Sequence, residues 1–324
     1  MKNLKLLLVS LAILFSHNFT MGQGSKDSNK EKSAVKSALN AFKFRSIGPA
    51  FMSGRIADIA IDPMNENVWY VAVGSGGVWK TENAGTTWSP IADNMPFYST
   101  GCITIDPHNN ASIWLGTGEN VGGRHVGIGH GVYHSKDGGK SWKDMGLKKS
   151  EHISKIIVHP EDPNTVWVAS QGPLWSPGGE RGLYKTTDGG KTWKNTLDIN
   201  EWTGVTDLVI DPTNPDVLYA ASWQKHRNVA ALIGGGPGTS LYKSVDGGNN
   251  WSKIDKGLPR SNKGKIGLAI SPMQPNVLYA AVELDKRAGA VYRSDNSGGS
   301  WKKMSDTVSG LSLIHISEPT RPFH

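Results

Sequence analysis

Short apolar runs that end in a proline turn recur along the chain. The first is residues 59–63, and four later runs follow the same pattern, at residues 103–107, 157–160, 209–212 and 269–272. Before their turns, these runs are largely apolar on both faces, which is typical of a strand that is covered on both faces. A second apolar strand follows each run, and the prolines fall in the turns, where they remove no hydrogen bond from a sheet. The pattern predicts a chain of small antiparallel sheets.

A turn motif closes each of these units. Residues 135–142 read Ser-Lys-Asp-Gly-Gly-Lys-Ser-Trp, the same pattern returns at residues 186–193 and 244–251, and looser copies occupy residues 81–88 and 294–301. The tryptophans that end the five copies are 54, 51, 58 and 50 residues apart. This spacing suits one four-stranded propeller blade per repeat. We therefore predict an all-β protein, a β-propeller of which five blades are visible, as part of a larger seven-bladed, ten-bladed or tandem propeller.

The third position of the motif is expected to hold the turn together. An Asp there can accept hydrogen bonds from the backbone amides that follow, while the glycines supply positive φ. At Asp188 we expect the amides of Gly189 and Gly190 to be the donors. We interpret this position as structural and not as a row of calcium ligands; its residues are Asn83, Asp137, Asp188, Asp246 and Asn296.

Strand alternation predicts which loops share a face. If the four strands A to D of a blade run antiparallel, the A–B turns and the motif lie on one face, and the B–C and D–A loops lie on the other. The B–C connection is short in the first blade (residues 74–77) but long in the next three (about 116–131, 170–182 and 222–240). Variation in loop length on one face marks that face as the functional one.

Three tryptophans are not required by the repeat, and all three fall in loops of this variable face. Aromatic planes among charged side chains suit sugar stacking or peptide capture, although the same tryptophans could simply cover the long loops. The predicted ligand-binding residues are Arg55, Arg124, His125, Trp175, Arg181, Trp202 and Trp223. Glu119 is the candidate catalytic acid. His125 and His130 with Glu119 match no strong zinc signature, so we predict neither a metal nor a cofactor.

The distribution of charge argues against nucleic-acid binding, and the single cysteine adds a prediction about the core. The net charge of +7 does not indicate nucleic-acid binding, because the lysines recur with the repeat, directly after the motif tryptophans, at Lys143, Lys194, Lys253 and Lys302. Lysines at these positions protect the exposed outer strand of a sheet. The single cysteine, Cys102, lies in an apolar strand pattern and is predicted to be a buried thiol.

The ends of the chain carry separate predictions. Residues 1–22 combine a basic start with a short apolar run, which predicts a signal peptide and an exported bacterial protein, periplasmic, cell-surface or secreted, without a membrane span. Residues 23–41 are polar and predict a flexible lead-in, and residues 42–310 hold the blades. Residues 311–324 resemble a translated sequencing adapter, so we expect an artefact at the end of a front fragment.

The motif and its flanks resemble a known family. The pattern Ser/Thr-x-Asp-x-Gly-x-Thr/Ser-Trp is similar to the Asp-box, or BNR repeat, and residues 44–49, 53–56 and 116–120 look like the opening of large exported proteins labelled BNR-repeat glycosyl hydrolase or sortilin-type propeller. Sortilin-type relatives imply binding of a peptide or protein. Xyloglucan-cleaving relatives imply a catalytic Asp just before two glycines in the first B–C turn, where this chain has Gly74, and sialidases imply an arginine triad of which only Arg55 can be placed.

Two functions therefore remain open. The first is an exported binding propeller that captures a peptide, a protein or a glycan on the B–C face. The alternative is a glycoside hydrolase, xyloglucanase-like or sialidase-like, whose catalytic acids are completed by further blades. A second acid across the cleft would distinguish them, and Glu119 is the residue to test.

Overall fold

The apolar runs fold into antiparallel strands, and the strands assemble into four-stranded sheets. The computed structural model describes residues 55–121, 126–284 and 288–308, which belong to one structural unit. Within these ranges, five sheets follow one another along the chain, each with strands A to D in order across the sheet. The predicted blades are confirmed. The predicted signal peptide (1–22), lead-in (23–41) and adapter artefact (311–324) lie outside the described residues.

Strands are numbered β1 to β22 in chain order, and all neighbouring strands of a blade are antiparallel. From A to D, the blades are: first, β1 (Ile56–Ile61), β2 (Trp69–Val73), β3 (Gly77–Thr81) and β4 (Ser89–Pro90); second, β5 (Thr100–Asp106), β6 (Asn109–Thr117), β7 (Val132–Ser135) and β8 (Lys143–Asp144); third, β9 (Ile153–Val158), β10 (Val166–Ser170), β11 (Gly182–Thr186) and β12 (Lys194–Leu197); fourth, β13 (Thr203–Asp211), β14 (Asn214–Gln224), β17 (Leu241–Ser244) and β18 (Ser252–Lys253); fifth, β19 (Lys263–Ile270), β20 (Leu278–Leu284), β21 (Ala288–Ser294) and β22 (Lys302–Val308). A hairpin of β15 (His226–Arg227) and β16 (Leu232–Ile233) is inserted into the fourth blade.

The hydrophobic core lies between the blades. Successive residues of a strand point to opposite sides of its sheet, so Leu115 packs towards the first blade while Trp114, next to it, packs towards the third. Similar clusters join the third blade to the fourth and the fourth to the fifth. The predicted burial of Cys102 is confirmed, and its thiol is free. This layering explains why the A and B strands are apolar on both faces.

The A strands pack side by side around a common axis, and each has a register shift near its start. In the first, second, fourth and fifth blades the shift falls next to Asp58, Cys102, Asp207 and Ile266, respectively. In the third blade it falls between Ile153 and Lys155. A β-bulge locally re-aims side chains and bends the strand. The bulged segments of all five A strands therefore face the axis at the end where the B–C and D–A loops lie.

The turn motif is tied together by its first and third residues. Asp188 accepts hydrogen bonds from the amides of Lys191 (2.9 Å) and Thr192 (3.0 Å). The amide of Gly190 instead donates to the hydroxyl of Thr186 at 3.0 Å, and that of Gly189 to a carbonyl in the A–B turn. The prediction that Asp188 accepts from backbone amides that follow it is confirmed, but the donors are Lys191 and Thr192 and not the two glycines. Both glycines are left-handed, with φ of 71° and 83°, and they turn their amides away from the carboxylate.

Asn and Asp serve the third position in the same way. Asn83 Oδ1 accepts from the amide of Thr87 at 2.8 Å, and Asn296 Oδ1 accepts from that of Ser300 at 2.8 Å, as Asp137 does from Ser141. Hydrogen bonds from the Ser141 side chain and amide lower the pKa of Asp137 from 3.8 to about 2. The position needs an acceptor oxygen, and a negative charge is optional.

The closing tryptophans connect neighbouring blades. The indole Nε1 of Trp142 donates to the carbonyl of Ile91 at 2.9 Å, and that of Trp193 donates to the carbonyl of Met145 at 2.7 Å. Trp301 repeats the contact with Ile254, at 2.9 Å. Each acceptor follows the D strand of the preceding blade, so the motif links one sheet to the previous one as well as closing its own turn.

Candidate functional site

Glu119 follows strand β6 and is held by residues of two blades. Its side chain is only 2% exposed. Arg55 donates to its Oε1 from Nε at 3.0 Å and from Nη2 at 2.5 Å, and the amide of Gly127 donates to its Oε2 at 2.9 Å. A Cβ on residue 74 would lie 2.5 Å from the same Oε1. Both carboxylate oxygens are engaged, and the carboxylate occupies the space that a side chain at Gly74 would need.

Arg181 directly precedes the C strand of the third blade and is buried. Its Nη1 donates to the carbonyl of Gln171 at 2.7 Å, and its Nη2 donates to the carbonyls of Pro173 and, at 2.8 Å, Ser176. Burial lowers the pKa of Arg181 to about 10. The guanidinium therefore orders its own B–C loop, and little of it is available to a ligand.

Trp175 is the most exposed of the three extra tryptophans. Its side chain lies in the third B–C loop and is 48% exposed. The guanidinium of Arg227, on the inserted hairpin, lies 5.7 Å from its ring centroid, and the Arg227 amide donates to the carbonyl of Leu174 at 3.0 Å. One face of the indole is therefore supported by Arg227, and much of the remaining surface is open to solvent.

Trp202 connects the third and fourth blades from the D–A loop between them. It is half-buried, and its ring lies 4.0 Å from the ring of His226 and 5.9 Å from the guanidinium carbon of Arg181. Trp202 therefore contacts Arg181, which is hydrogen-bonded to the loop that carries Trp175, and it also contacts the inserted hairpin. Trp175, Trp202, His226 and Arg227, which we call the aromatic platform, thus belong to one surface.

Trp223 does not join this surface. It lies within strand β14 instead of a loop, is 4% exposed, and donates from Nε1 to the carbonyl of Gly234 at 2.8 Å. The Nζ atoms of Lys225 and Lys265 lie 5.0 and 5.5 Å from its ring centroid. The placement of Trp223 in a B–C loop was wrong because strand B of the fourth blade continues several residues beyond the repeat.

A buried polar network lies beneath the loops. Gln171 is 1% exposed; its Nε2 donates to Asn120 Oδ1 at 3.0 Å, and its Oε1 accepts from the Nζ of the fully buried Lys225 at 2.5 Å. Lys265 Nζ, from the fifth blade, donates to the carbonyl and to Oδ1 of Asn120 at 2.5 and 2.6 Å. The network joins the second, third, fourth and fifth blades near the axis.

Glu151 is a candidate functional residue that the sequence reasoning missed. It lies in the D–A loop before β9, has a left-handed φ of 57°, and is half-buried. Burial raises the pKa of its carboxyl, while the charges of Arg181 and Lys225 act in the opposite direction. A strained non-glycine residue with a perturbed carboxyl is typical of functional sites. Only its position in a loop of the variable face could have indicated it.

Two of the predicted ligand-binding residues, Arg124 and His125, lie outside the described residues. In the described part of the chain the one helix is a short 3-10 turn, Lys148–Ser150, and no helix is long and apolar enough to cross a membrane.

Comparison with known proteins agrees with this architecture. A sortilin family model (Sortilin, neurotensin receptor 3) matches residues 130–233. The solved GH74 enzyme of Niastella koreensis superimposes with a TM-score of 0.57 at 19% identity, over 76% of this chain and 38% of that one. The chain is an Asp-box β-propeller.

Curated relatives of the propeller include xyloglucanases. The xyloglucanase of Hypocrea jecorina is 23% identical over 311 residues, which cover 86% of this chain and 36% of the relative. A xyloglucanase of Acetivibrio thermocellus is 24% identical over 228 residues, covering 60% of this chain and 25% of the relative. The propeller described here therefore corresponds to about a third or less of the length of each relative.

Proposed function

We propose that this propeller is the substrate-binding part of a glycoside hydrolase that acts on a xyloglucan-type polysaccharide. The observation that carries the proposal is the aromatic platform, above all the exposed indole of Trp175 supported by Arg227. Flat aromatic faces with polar neighbours suit stacking on sugar rings. The names of the relatives support the substrate class, and the neutral backbone of such a glycan needs few charged partners.

We further propose that Glu151 is the proton donor and that Glu201 is its partner carboxylate. Glycoside hydrolysis requires one protonated acid and one ionised carboxylate on either side of the scissile bond. Burial favours the protonated form of Glu151, whereas Glu201 is exposed. Arg181 lies within electrostatic range of both. Glu151 would protonate the leaving oxygen, and Glu201 would activate water or attack the sugar.

Glu119 has a structural role in this proposal. Its carboxylate is nearly inaccessible, and both oxygens already accept hydrogen bonds from Arg55 and Gly127. A catalytic acid must reach the substrate and exchange a proton with it. The sequence-based choice of Glu119 as the catalytic candidate is therefore replaced by Glu151.

Binding is tested with the full chain and soluble xyloglucan, by isothermal titration calorimetry. We expect Trp175→Ala to weaken binding about tenfold or more, as truncation of an aromatic anchor typically does. Trp79→Ala is the matched control, since Trp79 is also exposed (36%) but lies on a C strand of the first blade. Equal losses in both variants, or xyloglucan binding that is independent of Trp175, would contradict the platform.

Turnover is tested separately by product analysis of xyloglucan digests. We expect Glu151→Gln to abolish product formation while the variant still binds xyloglucan, and Glu119→Gln to lose activity only as far as it loses stability. Binding without any turnover in the wild type would leave a glycan-binding propeller and remove the proposed roles of Glu151 and Glu201.

Peptide capture is a second candidate, favoured by the inserted hairpin. Its tip exposes Val229 (89%), Leu232 (46%) and Ile233 (49%) within the segment that the sortilin model matches. Exposed apolar side chains at a loop tip are typical of protein contacts. Val229→Ser with Leu232→Ser should then reduce capture of unstructured peptides and leave xyloglucan binding unchanged; the opposite pattern would exclude this candidate.

We also propose that the protein is exported. The basic start and apolar run of residues 1–22 support this location. Expression in a bacterial host followed by amino-terminal sequencing should find a mature chain that begins near residue 23, and an intact Met1 in the extracted protein would contradict export.

A further inference from the structure

A polar cavity lies on the axis, where the A strands of all five blades meet. Its volume is about 250 Å³. Residues at or beside the register shifts line it, among them Asp58, Ser154, Thr206 and Ile266. Pockets for drug-sized ligands measure roughly 300–1,000 Å³, so this cavity suits a smaller molecule.

Charges of both signs face the cavity from different blades. Asp58 comes from the first blade and Asp207 from the fourth, while Lys155 comes from the third and Lys265 from the fifth. Charged groups of a protein interior need charged or hydrogen-bonding partners, so a ligand of this cavity should present both donors and acceptors.

The two carboxylates are fixed in place and still have capacity to accept. Asp58 accepts from the amide of Ile59 at 2.9 Å and from that of Ile103, in the next blade, at 3.1 Å. Asp207 makes the equivalent pair with Leu208 (2.9 Å) and with Leu268 of the next blade (2.7 Å). Each carboxylate oxygen has a second lone pair, so an ammonium group could bind between them.

The two lysines differ in their partners. Lys265 is held by Asn120 through two hydrogen bonds. For Lys155 Nζ, no hydrogen bond or ion pair is found among the residues that the structure describes. Burial lowers the pKa of Lys265 to about 8 and raises that of Asp207. Lys155 is therefore the cationic group of the cavity that can still donate to a ligand.

We propose that this cavity binds a free α-amino acid as its zwitterion. The ammonium group of the ligand donates to the carboxylates of Asp58 and Asp207, and its carboxylate accepts from Lys155 Nζ. A single anion or cation would be balanced by only one of the two kinds of charge in the cavity. This site is separate from the aromatic platform and does not depend on the proposed glycan function.

The first experiment uses the full chain and a panel of L-amino acids, with L-alanine and glycine as the smallest probes, by thermal shift and then calorimetry. Acetate and methylammonium serve as single-charge probes. We expect at least one amino acid to bind about tenfold or more tightly than either single-charge probe. Acetate binding as tightly as the best amino acid would overturn the proposal, and so would the absence of any bound amino acid.

Variants locate the site. Lys155→Met and Asp58→Asn should each weaken amino-acid binding about tenfold or more, whereas Lys140→Met, at an exposed motif lysine, should have no effect. Asn keeps an acceptor for the Ile103 amide; should Asp58→Asn nevertheless fail to fold, Lys155→Met decides alone. Wild-type affinity in Lys155→Met, or competition by a xyloglucan oligosaccharide, would overturn the proposal. Trp175→Ala should leave amino-acid binding unchanged.

Discussion

Arg55 donates from both Nε and Nη2 to one carboxylate oxygen of Glu119, although 64 positions separate the two residues. Arg55 directly precedes the first blade, and Glu119 belongs to the second, so the pair spans a blade boundary at the loop face. Arg55 is 59% exposed and Glu119 is 2% exposed. The Glu119 carboxylate is therefore buried, and it is paired with a guanidinium group that solvent reaches.

The first prediction uses the close approach of Gly74 to this pair. A Cβ on residue 74 would lie 2.5 Å from Glu119 Oε1, so Gly74→Ala should displace the carboxylate and cost about 1–3 kcal/mol. Glu119→Ala should cost about as much, since it leaves the Gly127 amide without its acceptor. The double variant should cost less than the sum, because the clash disappears with the carboxylate. Urea unfolding measures all three.

Gly234→Ala is the control for backbone effects. A Cβ there would meet nothing within 4 Å, and Gly234 does not have a positive φ. Its stability should stay close to that of the wild type. If the losses of unfolding free energy in Gly74→Ala and Glu119→Ala are strictly additive in the double variant, the two positions do not compete for the same space.

The repeat made the blades predictable. Asp137, Asp188 and Asp246 recur with Trp142, Trp193 and Trp251 at fixed offsets. Each Asp accepts from amides of its own turn, and Trp142 and Trp193 donate to the segment after the D strand of the preceding blade, a contact that repeats from blade to blade. Antiparallel alternation then placed Trp175 and Trp202 correctly in loops of one face. Local chemistry repeated along a chain can be read from sequence.

The environments of the loop residues could not be read in this way. Arg181 is a charged residue in a variable loop, but three carbonyls of its own loop surround its guanidinium. Glu119 depends on Arg55 from another blade, and Glu151 is defined by its strained backbone and its burial. These properties arise from contacts between segments distant in sequence, for which the repeat has no template.

The second prediction concerns acid stability of the turn motif. The pKa of Asp137 is lowered in the folded protein, from 3.8 to about 2. The folded state therefore binds fewer protons than the unfolded chain, and the contribution of the carboxylate, complete above about pH 4, is lost as pH falls towards about 2. Asp137→Asn keeps the acceptor without the charge. We expect its melting temperature to approach that of the wild type as pH falls through this window.

In the same series, Asp137→Ala should be less stable than Asp137→Asn at every pH, since Ala has no acceptor for the Ser141 amide. Asn83→Asp provides the reverse exchange and should acquire the pH dependence that Asp137→Asn loses. Identical pH profiles for wild type and Asp137→Asn would contradict the lowered pKa.

The third prediction concerns the link between blades. Trp193→Phe keeps an aromatic ring but loses the 2.7 Å hydrogen bond to the Met145 carbonyl, which should cost about 1 kcal/mol. Trp193→Ala also loses the packing of the ring against Trp114 and should cost about 3 kcal/mol. Trp175→Ala, at an exposed side chain, should change stability by less than about 0.5 kcal/mol. Chemical denaturation of the three variants tests this order, and a large loss in Trp175→Ala would reverse it.

The last prediction concerns Lys225, the fully buried lysine that donates to Gln171. Burial holds its pKa well below the ordinary value of 10.5 in the folded state, and the charges of Lys265 and Arg181 lower it further. Between the two pKa values the unfolded chain carries one more proton than the folded protein. Stability therefore falls as pH falls, by up to about 1.4 kcal/mol per pH unit.

Lys225→Met has no such proton to bind, so its stability relative to the wild type should increase as pH is lowered from about 10, near the ordinary pKa of lysine, towards the lower pKa of Lys225 in the fold. At the upper end the variant should be slightly less stable, by about 1 kcal/mol, because Gln171 Oε1 loses its donor. Urea unfolding of both proteins across this range measures the difference, with Lys140→Met as the exposed control that should follow the wild type. Parallel stability curves for wild type and Lys225→Met would mean that Lys225 is charged in the fold and that its surroundings compensate the charge.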